Sequence, residues 1–386
     1  MSVAAAVVSG PGRLSIESFP DPRLGPGEAL VRMELSGICG TDKHVFKGEG
    51  TLYAGTMMEA QAVFPVIPGH ENVGVIEELG PGAAEGLEYY GRPLAAGDRV
   101  VMCPDVVCGR CWWCRHHSMV WCENITCYGV TLGCEQPPHL FGGWAEHLVL
   151  RSDAFVYKVP DGLAPELAVL VEPLVVTGVL SEAVGFSLTG GEGFRGGDTV
   201  VVQGVGALGL MFVLRARTMG AGTIVAVDAA PARLRLAERL GVTHTLDLTA
   251  TSAEERVEHV RALTDGRGAD VVIDCAGVPE AVPEGLEMAR KGGTYIEPGA
   301  FVEMGTVPIS PHRHLCSKSI RLIGVTNHPH TGYGPALALL ERYGDVFPFR
   351  ELITHRFPLQ EAGRALETSS GLEAGKVLIG GNGATR

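Results

Sequence analysis

The sequence predicts an α/β protein in which a doubly wound parallel sheet is joined to a β-rich domain. Three observations point there. From about Pro165 onward, short apolar runs alternate with helical patterns. One of those runs leads through a glycine-rich turn, Gly204 to Gly209, into a helical stretch. The chain before about Pro160 is different: it is turn-rich, with β-branched or apolar runs bounded by Gly or Pro.

In the first part, Ala29 to Leu35, Val73 to Leu79, Asp98 to Cys103 and Ala145 to Leu150 carry the strand signal. In the second, Thr199 to Gln203 has the apolar run of a buried strand, and Leu208 to Met219 follows as a helix. Thr223 to Val227 is the next strand and Ala232 to Leu240 the next helix. Val271 to Cys275, Thr294 to Glu297 and Ile320 to Val325 are further strands of the same sheet. From about Asn327 the character is mixed again, with a helical stretch from Gly334 to Tyr343.

Bulk composition narrows the function. A chain of 386 residues holds roughly two to three domains. With 46% hydrophobic and 19% charged residues it is globular rather than disordered. A net charge of −13 argues against nucleic acid and against anionic membranes, since both demand a basic surface. No apolar run reaches the roughly 18–20 residues of a membrane span, and the first ten residues have no basic leader. Ten cysteines in that setting read as metal ligands and reduced thiols, with the cytoplasm as the expected compartment.

Gly204, Gly206 and Gly209 form G-x-G-x-x-G, with Val205, Ala207 and Leu208 between them. The pattern alone is weak, but here it joins a strand to a helix, as a dinucleotide site requires. Gly204 makes the turn, Gly206 lets the backbone approach a pyrophosphate, and Gly209 lets helix and strand pack closely. The helix N-terminus offers free N–H groups to the phosphates. Asp228 ends the next strand, nineteen residues beyond Gly209. A carboxylate there accepts from ribose hydroxyls and repels a 2′-phosphate, which favours NAD over NADP; Arg233 nearby blurs that preference. The plainer alternative is a tight βα turn with no ligand.

Cys108, Cys111, Cys114 and Cys122 are spaced C-x2-C-x2-C-x7-C, which suits a closed tetrahedral zinc site in a lobe from about 103 to 127. Disulfides and an iron–sulfur cluster are the alternatives. His116 and His117 are expected on the surface of that lobe. Cys103, Cys127, Cys134, Cys275 and Cys316 fit no spacing rule and are expected to be packed or free thiols.

A catalytic zinc needs mixed protein ligands and one open position. Cys39, His70 and Glu172 would supply sulfur, nitrogen and oxygen from three separated segments. These are Gly37-Ile-Cys-Gly-Thr-Asp-Lys-His44, Pro68-Gly-His-Glu-Asn-Val-Gly74 and Val171-Glu-Pro-Leu174. Any one of the three residues, taken alone, is more often an ordinary packed or surface residue than a ligand.

Together and in this order, the motifs resemble the zinc-containing medium-chain dehydrogenases, in their sorbitol/threonine dehydrogenase-like branch. The resemblance covers essentially the whole chain. It implies a β-rich GroES-like catalytic domain from residues 1–164 and 327–386, and a Rossmann domain from 165–326. It implies two zinc ions per chain, one catalytic and one structural, with NAD as cofactor and a homodimer or homotetramer. By the same resemblance Cys39 and His70 ligate the catalytic zinc, with Glu172 or Glu71 as the carboxylate ligand and the division between the two open. Thr41 takes the proton of an alcohol, His44 passes it toward solvent, and Asp42 orients the histidine ligand. The activity implied is reversible hydride transfer between NAD and a secondary alcohol or polyol. A primary-alcohol or aldehyde enzyme would be expected to carry cysteine at position 172. A non-catalytic zinc or dinucleotide-binding protein is the reading from another class.

Two segments look longer than the family pattern. Gly48 to Phe64, containing Met57 and Met58, either overhangs the substrate pocket or is a plain surface loop. Phe186 to Gly197 carries five glycines.

Overall fold

A computed structural model describes residues 2–49, 51–52, 59–182 and 194–380. Met57 and Met58, and most of the glycine-rich stretch after Phe186, lie outside the described residues.

The middle of the chain forms a six-stranded, all-parallel sheet. Its order is His244–Asp247, Thr223–Asp228, Thr199–Gln203, Ala269–Asp274, Ala289–Glu297, Arg321–Gly324. Thr199–Gln203, buried throughout, is central and pairs on both sides, with Thr223–Asp228 and Ala269–Asp274. The chain therefore reverses its direction of winding at this strand, and the crevice at its C-terminal end is where ligands bind in such sheets. The helix Ala207–Thr218 begins there.

The first part and the tail share a seven-stranded sheet. Its path is Val156–Lys158, Arg99–Met102, Glu71–Leu79, Ala29–Gly37, Lys376–Gly380, Ile353–Pro358, and His147–Leu150 also pairs with Ala29–Gly37. Leu378 pairs with Gly37 and Ile379 with Ser36, so the last strand lies beside the motif that carries Cys39. On the other side of Ala29–Gly37, Gly37 pairs with Glu71. Both metal-motif segments thus leave the same end of adjacent strands.

One apolar cluster joins the two sheets. It runs from Leu35, Val73 and Tyr157 through Leu170 and Leu174 to Val200, Phe212 and Leu378. The short helix Val171–Val176 packs between the Glu71–Leu79 strand and the Ala207–Thr218 helix, and it carries Glu172 inward. No helix among the described residues is long and apolar enough to cross a membrane.

Two elements depart from the sequence reading. The strand expected at Thr294 to Glu297 starts at Ala289. Lys291-Gly-Gly293 resembles a turn, but Gly292 takes φ +70° and lets the strand bend without ending. The N-terminal residues form a hairpin, Ser2–Gly10 with Arg13–Pro20, turned by Gly10-Pro-Gly12. That turn signal is local and legible; the alternation flanking it is poor, because the second strand is largely exposed.

Phe212 is fully buried in the shared cluster. Phe212→Ala should cost about 3–5 kcal/mol, as large-to-small core substitutions do. Chemical denaturation of the two proteins side by side measures this; an unchanged midpoint would show the cluster to be dispensable.

Candidate active site and cysteine lobe

The glycine turn has the geometry its sequence calls for. Gly204 sits at φ +78°, and a Cβ there would stand 2.6 Å from the Ala276 backbone nitrogen. A Cβ on Gly209 would collide with the Gly204 carbonyl. Gly206 is the N-cap of the following helix and is open apart from an Arg233 nitrogen at 4.0 Å. Asp228 is buried, and its carboxylate braces the turn: Val205 N–H donates to one oxygen and Ala230 N–H to the other, each at 2.8 Å. Arg233 donates to the Gly371 carbonyl at 2.9 Å. A cavity of about 800 Å³ runs from Gly204, Gly206, Ala207, Leu208, Gly209, Asp228 and Arg233 to Cys39, His44, Glu71 and Glu172.

At the far end of that cavity, Cys39 caps the helix Gly40–Lys47. Asp42 is buried in its first turn and accepts from Cys39 N–H at 2.8 Å and Gly69 N–H at 3.2 Å. The same carboxylate stands 3.4 Å from His70 Nδ1. Ligand atoms of Cys39, His70 and Glu71 lie within 4.8 Å of one another. Burial opposes protonation of His70, but Asp42 and Cys39 outweigh it and hold its pKa well above the usual value. Glu71 is buried against Lys376, which bonds its carboxylate and also donates to the Ile38 carbonyl at 3.2 Å. Burial raises the Glu71 pKa despite that cation, with Glu172 adding to the rise.

Glu172 stands apart from this trio: its carboxylate pairs with His328 Nε2 at 2.9 Å. Burial alone would raise its pKa, but the imidazole prevails and lowers it. Thr41 Oγ1 lies 3.9 Å from Cys39 Sγ. His44 lines the cavity, bonds Glu49 through Nδ1 at 3.0 Å, and meets the Phe301 ring edge-on at 5.4 Å. Lys376 and His328 escaped the sequence reading. One opens an apolar strand and the other sits in Asn-His-Pro-His, and neither has a spacing that betrays its partner.

The donor set fits zinc: a thiol, an imidazole and a carboxylate, all from buried or half-buried residues, converge on one point, and Asp42 on His70 Nδ1 leaves the other ring nitrogen uncommitted.

The lobe brings Cys108, Cys111, Cys114 and Cys122 within 4.8 Å of one another, and all ten cysteines are free of disulfides. Backbone N–H groups point at the sulfurs: Cys111 to Cys108 Sγ at 3.3 Å, Cys108 to Cys122 Sγ at 3.3 Å and Asn124 to Cys122 Sγ at 3.4 Å. Such N–H bonds, from Arg110 above all, lower Cys108 to about 6, whereas burial pushes Cys114 up to about 12. His117 packs on Trp112, ring centroids 4.8 Å apart, outside the sulfur cluster.

A cluster of three side chains near the cavity was not anticipated. Tyr295 OH lies 3.0 Å from Asp274 and 3.3 Å from Glu297, at the ends of two neighbouring strands. The loops that follow both carboxylates, at Ala276 and Gly299, line the cavity.

Comparison with known proteins gives a consistent placement. The family model for the alcohol dehydrogenase GroES-like domain matches residues 25–161, and that for zinc-binding dehydrogenases matches residues 207–342. The 5-exo-hydroxycamphor dehydrogenase of Pseudomonas putida is 37% identical over 363 residues, 94% of each chain. The erythritol/L-threitol dehydrogenase of Mycolicibacterium smegmatis is 34% identical, covering 97% of this chain and 96% of its own. An alcohol dehydrogenase structure from Thermotoga maritima superposes with a TM-score of 0.88 at 30% identity, over 99% of this chain and 100% of that one. A zinc-binding dehydrogenase from Sinorhizobium meliloti, solved with NADP, gives 0.82 at 28% identity, over 98% and 99% of the two chains. The chain belongs to the zinc-dependent medium-chain alcohol dehydrogenase family, in its sorbitol/threonine dehydrogenase-like branch, and is an oxidoreductase acting on CH–OH donors.

Burial, helped by the Asp274 charge, pushes the Glu297 carboxyl up to about 7 from an ordinary 4.5. A raised carboxyl binds its proton more tightly in the folded chain. Its stabilising contribution is full below about 4.5 and is lost as pH rises through about 7. Glu297→Gln should therefore flatten the decline of melting temperature across that window; a variant with the parent's slope would refute the assignment.

Proposed function

We propose that this chain catalyses the reversible, NAD-linked oxidation of a secondary alcohol or polyol to the ketone. The observation that carries this is one continuous cavity, with the glycine turn and Asp228 at one end and, at the other, Cys39 and Glu71, whose ligand atoms gather with that of His70. The relatives' names, a hydroxycamphor and a tetritol dehydrogenase, support the substrate class.

In this reading Cys39 and His70 hold the catalytic zinc with Glu71, and Glu172 is the second carboxylate available to it. Zinc, when bound, supplies Lewis acidity toward the alcohol oxygen, and the nicotinamide supplies the hydride acceptor. The chain's own residues do the rest. Asp42 fixes the His70 ring through Nδ1, leaving the other nitrogen for the metal. Lys376 fixes Glu71 and offsets its charge. Thr41 accepts the substrate proton, and His44, open to the cavity and bonded to Glu49, passes it outward. The glycine turn and the N-terminus of the Ala207–Thr218 helix hold the pyrophosphate.

Asp228 supports NAD over NADP, because its buried carboxylate would repel a 2′-phosphate. Arg233, engaged with the Gly371 carbonyl, supports the same choice. The four lobe cysteines hold a second, structural zinc. Arg321–Gly324, an edge strand with Leu322 exposed, supports a homodimer or homotetramer joined through the parallel sheets. Ten free thiols support a cytoplasmic home.

Cys39→Ser and His70→Ala should each release one zinc per chain and lower turnover by roughly a thousandfold or more. Metal analysis beside NADH formation on a panel of primary, secondary and poly-alcohols checks this. Either variant keeping full zinc and full activity would sink the assignment. Asp228→Ala should reduce the NAD-to-NADP ratio of kcat/KM by roughly tenfold or more, the worth of a charged hydrogen bond. An unchanged ratio would remove Asp228 from cofactor choice.

A further inference from the structure

Behind Glu172 lies a second set of metal-capable side chains. Cys103 Sγ, a carboxylate oxygen of Asp105 and a ring nitrogen of His328 fall within 4.8 Å of one another. All three residues are buried: 1% exposed at Cys103, 8% at Asp105 and 4% at His328.

The backbone holds the set in place. Cys103 and Asp105 are two residues apart where Arg99–Met102 runs into the short ladder of Asp105–Val106 with Thr126–Cys127. Phe155 and Pro104 carbonyls close the neighbouring backbone bonds, from Cys103 N–H and Tyr128 N–H, at 2.9 Å each. His328 enters from the opposite side. Asn327, at φ +59°, turns the chain inward, and its side chain accepts from His328 N–H at 2.7 Å.

The two nitrogens of His328 are used unequally. Nε2 meets Glu172 at 2.9 Å and Tyr333 OH at 3.3 Å, whereas Nδ1 is buried with no hydrogen-bond partner. A histidine that ligates a metal through one nitrogen almost always gives its other N–H to a carboxylate. His328 and Glu172 have that arrangement, as His70 and Asp42 do on the other side of Glu172. Charge points the same way. Asp105 and Glu172 are two buried carboxylates, and the one imidazole near both is in contact with Glu172 alone, so a cation beside Asp105 would offset a charge that burial makes costly. A cavity of about 730 Å³, lined by Trp121, Leu174 and Ile323, reaches His328.

We infer that Cys103, Asp105 and His328 form a third metal site, taking a borderline-soft divalent cation, zinc or its stand-in cobalt(II). Its mixed sulfur, oxygen and nitrogen donors match that class rather than magnesium or calcium, which prefer oxygen alone. A cation there would hold His328 in the orientation that keeps Glu172 turned from the Cys39 cluster.

The test loads the full-length protein with zinc, desalts it and measures zinc per chain. The wild type should keep one zinc beyond those released by Cys39→Ser and by loss of the lobe cysteines. Asp105→Asn and Cys103→Ser should each lose that one zinc and no other; the near-isosteric Asp105→Asn carries the test if Cys103→Ser does not fold. Cobalt(II) titration of the Cys39→Ser protein should show a thiolate-to-cobalt absorption in excess of that of the four-cysteine lobe, and adding Cys103→Ser should remove that excess and leave the lobe's absorption unchanged. This readout holds whether or not Cys39 binds the catalytic zinc. Equal zinc and equal cobalt spectra with and without Asp105 and Cys103 would overturn the site. So would equal zinc accompanied by a raised KM for a polyol in Asp105→Asn, which would make the cluster a hydroxyl-binding recess.

Discussion

Everything at the candidate active site depends on keeping buried charges in pairs. Three carboxylates lie in its walls, and each has its own basic partner: Asp42 with His70, Glu71 with Lys376, Glu172 with His328. A buried carboxylate left alone is costly, and removing one partner of a buried pair typically destabilises by about 3–5 kcal/mol. The partners come from five separate stretches of chain. The site therefore cannot assemble until the strand at Lys376–Gly380 has joined the sheet beside Gly37, since that pairing delivers Lys376 to Glu71. The tail is thus as much a part of the site as the segments that supply the metal donors.

That requirement explains the layout of both sheets. Gly37 pairs with Glu71 on one side and Leu378 on the other, so three strands end together where the donors gather. A side chain at 37 would strike Glu71 and Lys376, so the closeness of this pair needs the glycine. Across the cleft, the parallel sheet reverses its winding at Thr199–Gln203 and opens its crevice toward the same point. The helix Val171–Val176 bridges the two and sets Glu172 between the Cys39 cluster on one side and His328 on the other.

The sequence displays the parts of this that are local. Cys39, Asp42 and His44 lie within six residues at the start of one helix, His70 and Glu71 are adjacent, and the four lobe cysteines fall within fifteen residues. Such motifs announce themselves because one backbone segment must present several groups at once. The strand–turn–helix around Gly204 is legible for the same reason: sterics at 204 and 209 allow only glycine. Lys376, His328 and Asp105 are illegible because each meets its partner only through tertiary folding. Lys376 and Glu71 are 305 residues apart, and a lysine at the head of Lys376–Gly380 looks like an edge residue until its strand is placed. Cys103 shows the converse. It fits no cysteine spacing, and a packed thiol is the natural expectation, yet its neighbours are Asp105 and His328 rather than an apolar core alone.

The position of Glu172 follows from competition rather than from spacing. Three basic groups act on Glu172: His328 in direct contact, and farther off His70, already paired with Asp42, and Lys376, already bound to Glu71. Glu71 repels it, because both are buried carboxylates, and the Glu172 charge makes Glu71 costlier to ionise. With Lys376 committed, the low-energy arrangement turns Glu172 toward His328, and the contact at 2.9 Å is the result. A cation entering among Cys39, His70 and Glu71 would weaken that repulsion and draw Glu172 back. The same carboxylate can therefore serve the metal or its own imidazole, and the balance is set by which positive charge is closer. For the zinc proposed here, the identity of the third ligand would be an electrostatic outcome, which a motif such as Val171-Glu-Pro-Leu174 can nominate but cannot decide.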